Sequence, residues 1–413
     1  MNKYYILFLF AFLSVSAFSQ GREIPVVKNS SKLEIYELSQ INSSYRETNL
    51  NISPDGKYLY FMSDRGGQSW SSVSGTFNGK SRYDGDIWYS KKNGNEWQSP
   101  KCLSSNVNTW SGEDEPNISP DGQRVYFESW KSSWQTSGGP YYTSELNGNV
   151  WGTPEGLGGG ITEFFKGEYN KRYYYATDGM AISPDGNTFI VSCGGDYDGN
   201  LDLFVGYKKN GRWEVPQKMN ISTDYDDRSI FIAGDGHTIF FASDGYGGFG
   251  GLDIFMGTLQ DDGKCVNVKN IGEPFNTPKD DYGFIITASG EEAYFVRDGD
   301  VFYAKLPPSN ELSPEPTVIV SGKLVNCANI PMEMHLYLKD ATGKIVVSSK
   351  SASNGEFVFS FPEKSGKYEI YDDHDNLLKS FTVKKLDQYQ EIKFDLKNCN
   401  RIRPPSKSAV KSK

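Results

Sequence analysis

The chain has 413 residues, 14% of them aromatic and 37% hydrophobic, with 43 glycines, 26 tyrosines and 25 phenylalanines. That is enough apolar material for one large or two ordinary domains, and the abundance of aromatic residues and glycine over helical periodicity leans towards an all-β chain. A formal charge of −9 argues against a general nucleic-acid binder, whose phosphate contacts need clustered lysine and arginine.

In chain order, Lys3, the apolar run YYILFLFAFLSV and the small residues Ala17 and Ser19 have the layout of a secretory leader, residues 1–19. No later stretch is long and apolar enough to span a bilayer. No cysteine stands at the cleavage point to carry a lipid. The expected mature protein is exported, soluble and periplasmic, without a transmembrane segment.

The next feature is a repeat. SPDG stands at residues 53–56, 119–122 and 183–186, and decays to AGDG at 233–236 and TASG at 287–290, at spacings of 66, 64, 50 and 54 residues. A Ser-Pro-Asp-Gly tetrapeptide is turn chemistry. Each copy is followed by an aromatic strand such as KYLYFMSD or HTIFFASD, then by a second such as DIWYSKK or DIFMGTL. An Asn-Gly-type turn and an outer strand follow in the first four copies, and an inner strand precedes every turn. Four strands per repeat is the arithmetic of a propeller blade.

The fifth repeat runs into PPSNELSPEP without an outer strand. Residues 32–38 can supply it from the other end of the chain, closing the ring and removing two exposed sheet edges. The reading is a five-bladed β-propeller over residues 32–306, with six blades as the alternative if residues 163–176 form an irregular extra sheet. The turns, with the pairs Ser63-Asp64 and Ser243-Asp244 and the runs starting at Asp86, Asp202 and Asp253, resemble the TolB-like, WD40-like Pro-Asp repeat propellers of bacterial envelope proteins. That resemblance implies a rigid protein-binding platform; it names no ligand.

Residues 307–317 read as a Pro-rich linker. Residues 318–397 hold seven short alternating strands, the pattern of a small β-sandwich. DATGK, SNGEFVF and GKYEI resemble the carboxypeptidase regulatory-like domain. Propeller and sandwich together resemble the middle of OmpA-family envelope proteins of Bacteroidetes, including components near the type IX secretion machinery. The basic tail, residues 398–413, is too short for the OmpA-like domain of those relatives.

Reactive chemistry is sparse. Three histidines, His237, His335 and His374, lie apart from any serine or cysteine in a nucleophile context, which excludes a serine triad. Inner-strand carboxylates including Glu113, Asp114, Glu115, Asp178, Asp226, Asp227, Asp280 and Asp281 could face the central funnel, as paired acids do in glycoside hydrolysis. Their recurrence at equivalent repeat positions favours a structural role, accepting hydrogen bonds from neighbouring backbones. No motif requires a cofactor. Asp196, Asp198, Asn200 and Asp202 place oxygen ligands at every second residue, the register from which a loop gathers a hard cation such as Ca²⁺. Cys327 and Cys399 lie near the two ends of the sandwich, where a disulfide would join its first and last strands. Cys102, Cys193 and Cys265 read as small buried hydrophobes.

Loops between the second and third strands and between repeats are long on one face of the ring and terse on the other. The long ones carry Trp70, Phe77, Trp110, Trp130 and Trp134 among Ser and Gly, a composition suited to an adaptable recognition surface. The expectation is therefore a non-catalytic scaffold for envelope or outer-membrane proteins that binds through these aromatic residues. The alternative is a glycan-binding or glycan-hydrolysing propeller.

Overall fold

The computed structural model describes residues 24–29, 32–66, 73–77, 80–170, 176–195 and 200–399. Strands dominate them. Five antiparallel sheets follow one another along the chain, each built around three long strands. The first holds Glu47–Ile52, Tyr58–Ser63 and Asp86–Asn93; the second Asp114–Ile118, Arg124–Glu128 and Tyr141–Asn147; the third Ala176–Ile182, Thr188–Gly194 and Asp202–Lys209. The fourth holds Asp227–Ile232, Thr238–Ser243 and Asp253–Leu259, and the fifth Asp281–Ile286, Glu292–Arg297 and Asp300–Lys305. The first strand of each sheet touches that of the next, and that of the fifth touches that of the first. A closed ring of twisted sheets around one axis is a β-propeller.

The outer edges show how local chemistry sets the ends of strands. In the first three sheets the outer strand is split into two short pieces, Glu96–Trp97 and Lys101–Cys102, Val150–Trp151 and Glu155–Gly156, and Arg212–Trp213 and Gln217–Lys218. Pro100, Pro154 and Pro216 stand in the three gaps, where a missing N–H interrupts the ladder and blunts an exposed edge. The fourth sheet has no such proline, and its outer strand Cys265–Asn270 is continuous. In the fifth sheet the outer position is taken by Ile35–Glu37, paired antiparallel with Asp300–Lys305 in the register Ile35 to Ala304 and Glu37 to Phe302.

Of the segment considered for an extra sheet, residues 163–176, the first eight belong to a helix, Gly159–Asn170, Ala176 opens the next inner strand, and residues 171–175 lie outside the described residues. Ile161, Phe164 and Phe165 recur at helical spacing, with Ile161 and Phe165 buried. The run also carries the aromatic and glycine content that reads as strand elsewhere in this chain.

Past residue 316, two further sheets face each other across a second core of Val318, Val320, Leu336, Leu338, Phe357, Phe359, Ile370 and neighbours. One sheet joins Glu356–Pro362, Thr317–Asn326, Gln390–Lys393 and Leu396–Asn398; the other joins Ile345–Lys350, His335–Asp340, Gly366–Asp372 and Leu377–Val383. A disulfide links Cys327 to Cys399 beyond the ends of its first and last strands.

This two-layer unit sits on the SPDG face of the ring. The Lys350 amide donates to Asp121 Oδ2 at 2.7 Å and the Glu315 amide to Asp235 Oδ2 at 2.7 Å. Buried Lys350 also donates from Nζ to the Leu146 carbonyl at 2.6 Å and pairs with Glu333 at 3.0 Å. Ala288, Ile319 and Val358, with Tyr389 against them, form a small apolar contact across the junction. The terse face is thus the covered one, and the embellished face lies opposite.

Candidate functional site: the axial mouth

Two recurring devices hold the ring rigid. In each intact SPDG turn the serine hydroxyl accepts an amide proton from the strand that follows, as from Tyr58, Arg124 and Thr188 at 2.9–3.0 Å, and donates to the aspartate. The glycine in the fourth position of each turn has φ near +70°, a conformation open to glycine at little cost. The second device joins neighbouring sheets. Asn42, Asn108 and Asn276 each exchange two hydrogen bonds with the backbone of the second residue of the preceding sheet's third long strand, Val301, Ile87 and Ile254 respectively, at 2.8–3.1 Å. Ser222 does the same with Leu203. Five residues on in each case stands Glu47, Glu113, Asp227 or Asp281, whose carboxylate accepts from the Ser or Thr that follows the Asn or Ser. This pattern of Asn/Ser, Ser/Thr, three residues, then Glu/Asp is present in the sequence but does not stand out there, because every position varies. Between the second and third sheets the helix Gly159–Asn170 takes its place.

The carboxylates Glu113, Asp227 and Asp281 are accordingly spent on loops. Burial pushes Glu113 up to about 7 against the hydrogen bonds from Thr109 and Ser129, and Asp227 up to about 6.

The axis itself is built from two five-membered rings. Ile52, Ile118, Ile182, Ile232 and Ile286, each the residue before a repeat turn, are all buried and line a cavity of only ≈ 20 Å³. They plug the channel. One layer towards the embellished face, each inner strand carries a bulge, and Asn49, Glu115, Gly179, Ser229 and Gly283 take positive φ there, from 49° to 111°. They line a second axial cavity of ≈ 10 Å³. A Cβ at Gly179 would stand 2.8 Å from the Cα of Ser229, so this close approach of inner strands requires glycine. Bulges re-aim the side chains beside them.

Those side chains form the mouth. Asp114 Oδ1 accepts from Asn49 Nδ2 at 2.7 Å and from the Glu115 amide at 2.6 Å. Glu115 accepts from the Gly179 amide at 2.9 Å and from the Tyr141 hydroxyl at 2.8 Å. Glu128 accepts from Thr177 Oγ1 at 2.6 Å and from the Trp130 indole. Asp178 pairs with Arg228 at 2.8 Å; Arg228 also holds Asp226, and Arg46 pairs with Asp64 at 3.1 Å. Burial raises Asp114 to about 6, opposed by its Asn49 and amide bonds. Glu115 and Glu128 are both raised, first by burial, with the neighbouring carboxylates adding to Glu115 and Asp114 adding to Glu128. Tyr282 from the fifth sheet is also raised by burial, in the field of Asp178, Arg46 and Arg228.

The residues singled out from the sequence scatter. Trp110 stands on the loop between the first and second sheets, 82% exposed. Trp134 does not lie on the surface: it is 6% exposed, on the short helix Trp134–Ser137, and stacks edge-on against Trp130 at 5.3 Å. Trp130 is half-buried and meets Phe165 at 5.8 Å. Both belong to the core under the helix Gly159–Asn170, which corrects their expected place in a recognition surface. The Ser- and Gly-rich surroundings in sequence gave no sign of an apolar partner some thirty residues on. Phe77 ends the short strand Val73–Phe77, and Trp70 lies outside the described residues. So do Asp196 and Asp198. Of the same loop, Asn200 has φ 71° and Asp202 pairs with Lys218 at 2.7 Å. Cys193 and Cys265 are buried. Among the described residues the one group of three potential ligand side chains with ligand atoms within 4.8 Å of one another is Asp372, Asp373 and His374. There Asp372 already accepts from the His374 and Asn376 amides and from Asn398.

No protein-family model matches the chain, and no curated protein matches it in sequence. Among solved structures, a gluconolactonase from Xanthomonas campestris is similar at 9% identity and TM-score 0.37, over 69% of this chain and 96% of that one. An α-L-arabinofuranosidase from Lactobacillus brevis is similar at 12% identity and TM-score 0.39, over 67% and 94%. Hydrazine synthase from Kuenenia stuttgartiensis is similar at 12% identity and TM-score 0.31, over 84% and 98%.

Proposed function

We propose that the protein is an exported, non-catalytic binding platform of the bacterial cell envelope. In this reading the five sheets are the blades of a five-bladed propeller over residues 32–306, residues 318–397 are a β-sandwich docked on its SPDG face, and residues 307–317 join them. The opposite face receives an envelope protein, of an outer-membrane or secretion complex. One observation carries the reading. The axis, where a propeller hydrolase would hold its substrate, is plugged by the isoleucine ring, and the buried carboxylates above the plug already accept hydrogen bonds from neighbouring sheets. Cavities of ≈ 10 and ≈ 20 Å³ hold about one water each and no sugar ring. What remains open is a rigid face edged by loops, the usual place for recognition.

The test is photo-crosslinking in cells with benzoylphenylalanine at position 110, beside cell fractionation and a polysaccharide turnover panel. A discrete protein adduct in the envelope fraction is expected. Cytoplasmic recovery with the leader intact, or polysaccharide turnover abolished by Glu128→Gln, overturns the proposal.

A further inference from the structure

Charge around the mouth is unevenly matched. Arg46 and Arg82 are both held by Asp64, and Arg228 by Asp178 with Asp226. Among the described residues no lysine or arginine pairs with Asp114, Glu115 or Glu128, which accept hydrogen bonds only from neutral donors. A further polar group at the floor points the same way. Ser229, 5% exposed and on the ring that lines the upper axial cavity, has a hydroxyl without a partner. Around the rim, two of the loops that carry the Asn/Ser-Ser/Thr device present exposed aromatic side chains: Trp110 is 82% and Tyr225 59% exposed, three residues before Glu113 and two before Asp227.

Building on the platform reading, we infer that the mouth recognises an arginine side chain of a polypeptide partner, held from below by the Asp114 carboxylate and by Glu128, which releases its proton to solvent as the guanidinium enters, and flanked by the Trp110 and Tyr225 rings at the rim. The carboxylates select this occupant over a metal ion. Among the described residues, no three acids of the mouth each bring an oxygen within 4.8 Å of the others, fewer carboxylates than the oxygen shell of a hard cation draws on. A planar guanidinium can bridge acceptors set further apart and stack on an aromatic face at the same time. The protein itself uses that arrangement on this side of the ring: Arg65 pairs with Glu47 while lying 5.0 Å over the Trp88 ring, and Arg297 pairs with Asp281 while lying 5.1 Å over Phe295. A lysine would make the charge contact without the fork.

The experiment is fluorescence anisotropy of the mature protein with three labelled, end-blocked peptides, six repeats each of Gly-Arg, Gly-Lys and Gly-Ser. The variants are Asp114→Asn, Trp110→Ala and Asp262→Asn. Asp114→Asn keeps the oxygen that accepts from Asn49, and Asp262 is an exposed acid on the covered side of the ring. The Gly-Arg peptide should bind tightest. Its affinity should fall about tenfold or more with Asp114→Asn and about threefold or more with Trp110→Ala, and stay within about twofold for Asp262→Asn. Should Asp114→Asn fail to fold, Glu128→Gln serves in its place with the same expectation. Equal losses for Asp114→Asn and Asp262→Asn would reduce the effect to general attraction by an acidic protein and overturn the inference, as would Gly-Lys binding as tightly as Gly-Arg. A partner crosslinked at position 110 whose capture is unchanged by Asp114→Asn would leave the platform standing and remove the arginine clamp alone.

Discussion

Trp134→Ala offers the sharpest test of how the embellished face is built. The indole is 6% exposed and packs with Trp130, Ile161, Phe165 and Met180 in one apolar cluster. Removing about 200 Å² of buried aromatic surface at ~25 cal/mol per Å² costs about 5 kcal/mol, in line with the ~3–5 kcal/mol typical of buried tryptophan truncations. Unfolding entropy near ~2.1 cal/mol/K per residue gives roughly 0.6 kcal/mol/K for a ring of about 280 residues, so a ~4 kcal/mol loss lowers the melting temperature by about 7 °C. Trp110→Ala removes a side chain that is 82% exposed and should shift melting by less than about 1 °C. Calorimetry on the two variants reads both numbers. A Trp134→Ala protein that melts with the parent, or a Trp110→Ala protein that loses several degrees, would refute the division of this face into a tryptophan core and an exposed rim.

Two further outcomes follow from buried groups. Glu113 is held at about 7, above its ordinary 4.5, so the folded state retains its proton where the unfolded chain has lost it. The stability this carboxyl permits is full below about pH 4.5 and falls as pH rises to about 7, by about 3 kcal/mol in all at ~1.36 kcal/mol per unit. Urea melts at pH 5 and pH 8 should show the Glu113→Gln protein with a gap between the two pH values smaller by about that amount; an unchanged gap would mean that Glu113 is ionised in the fold. The disulfide between Cys327 and Cys399 spans 72 residues, and in the chain-entropy account its loss costs the C-terminal unit about 4 kcal/mol. A Cys327→Ser, Cys399→Ser double variant should show that unit opening to protease well before the ring; matched cleavage rates with the parent protein would contradict this.

Whatever repeats locally can be read along the chain. A serine and an aspartate two residues apart before Gly56, Gly122 and Gly186 can satisfy one another and the following amides only as a tight turn, so these tetrapeptides mark where strands reverse. Alternating aromatic runs after each turn define strands because a period of two admits little else. Isoleucine before every turn was equally legible, yet its meaning was not: the five residues at positions 52, 118, 182, 232 and 286 become a plug only when five sheets bring them to one axis. The tertiary structure alone decided the rest. Trp134 is apolar cover or recognition surface according to whether a helix some thirty residues later folds over it, and no local pattern around it encodes that contact. Asp121 reads as a turn residue, and it is one; it also accepts the Lys350 amide from 229 residues away, part of the contact by which the C-terminal unit covers the SPDG face. Likewise Asp114, Glu115 and Glu128 are ordinary acids along the chain. They become a group with raised affinity for protons, and with no cation of their own, because inner-strand bulges gather them where water is scarce and Arg46, Arg82 and Arg228 are already taken by other acids.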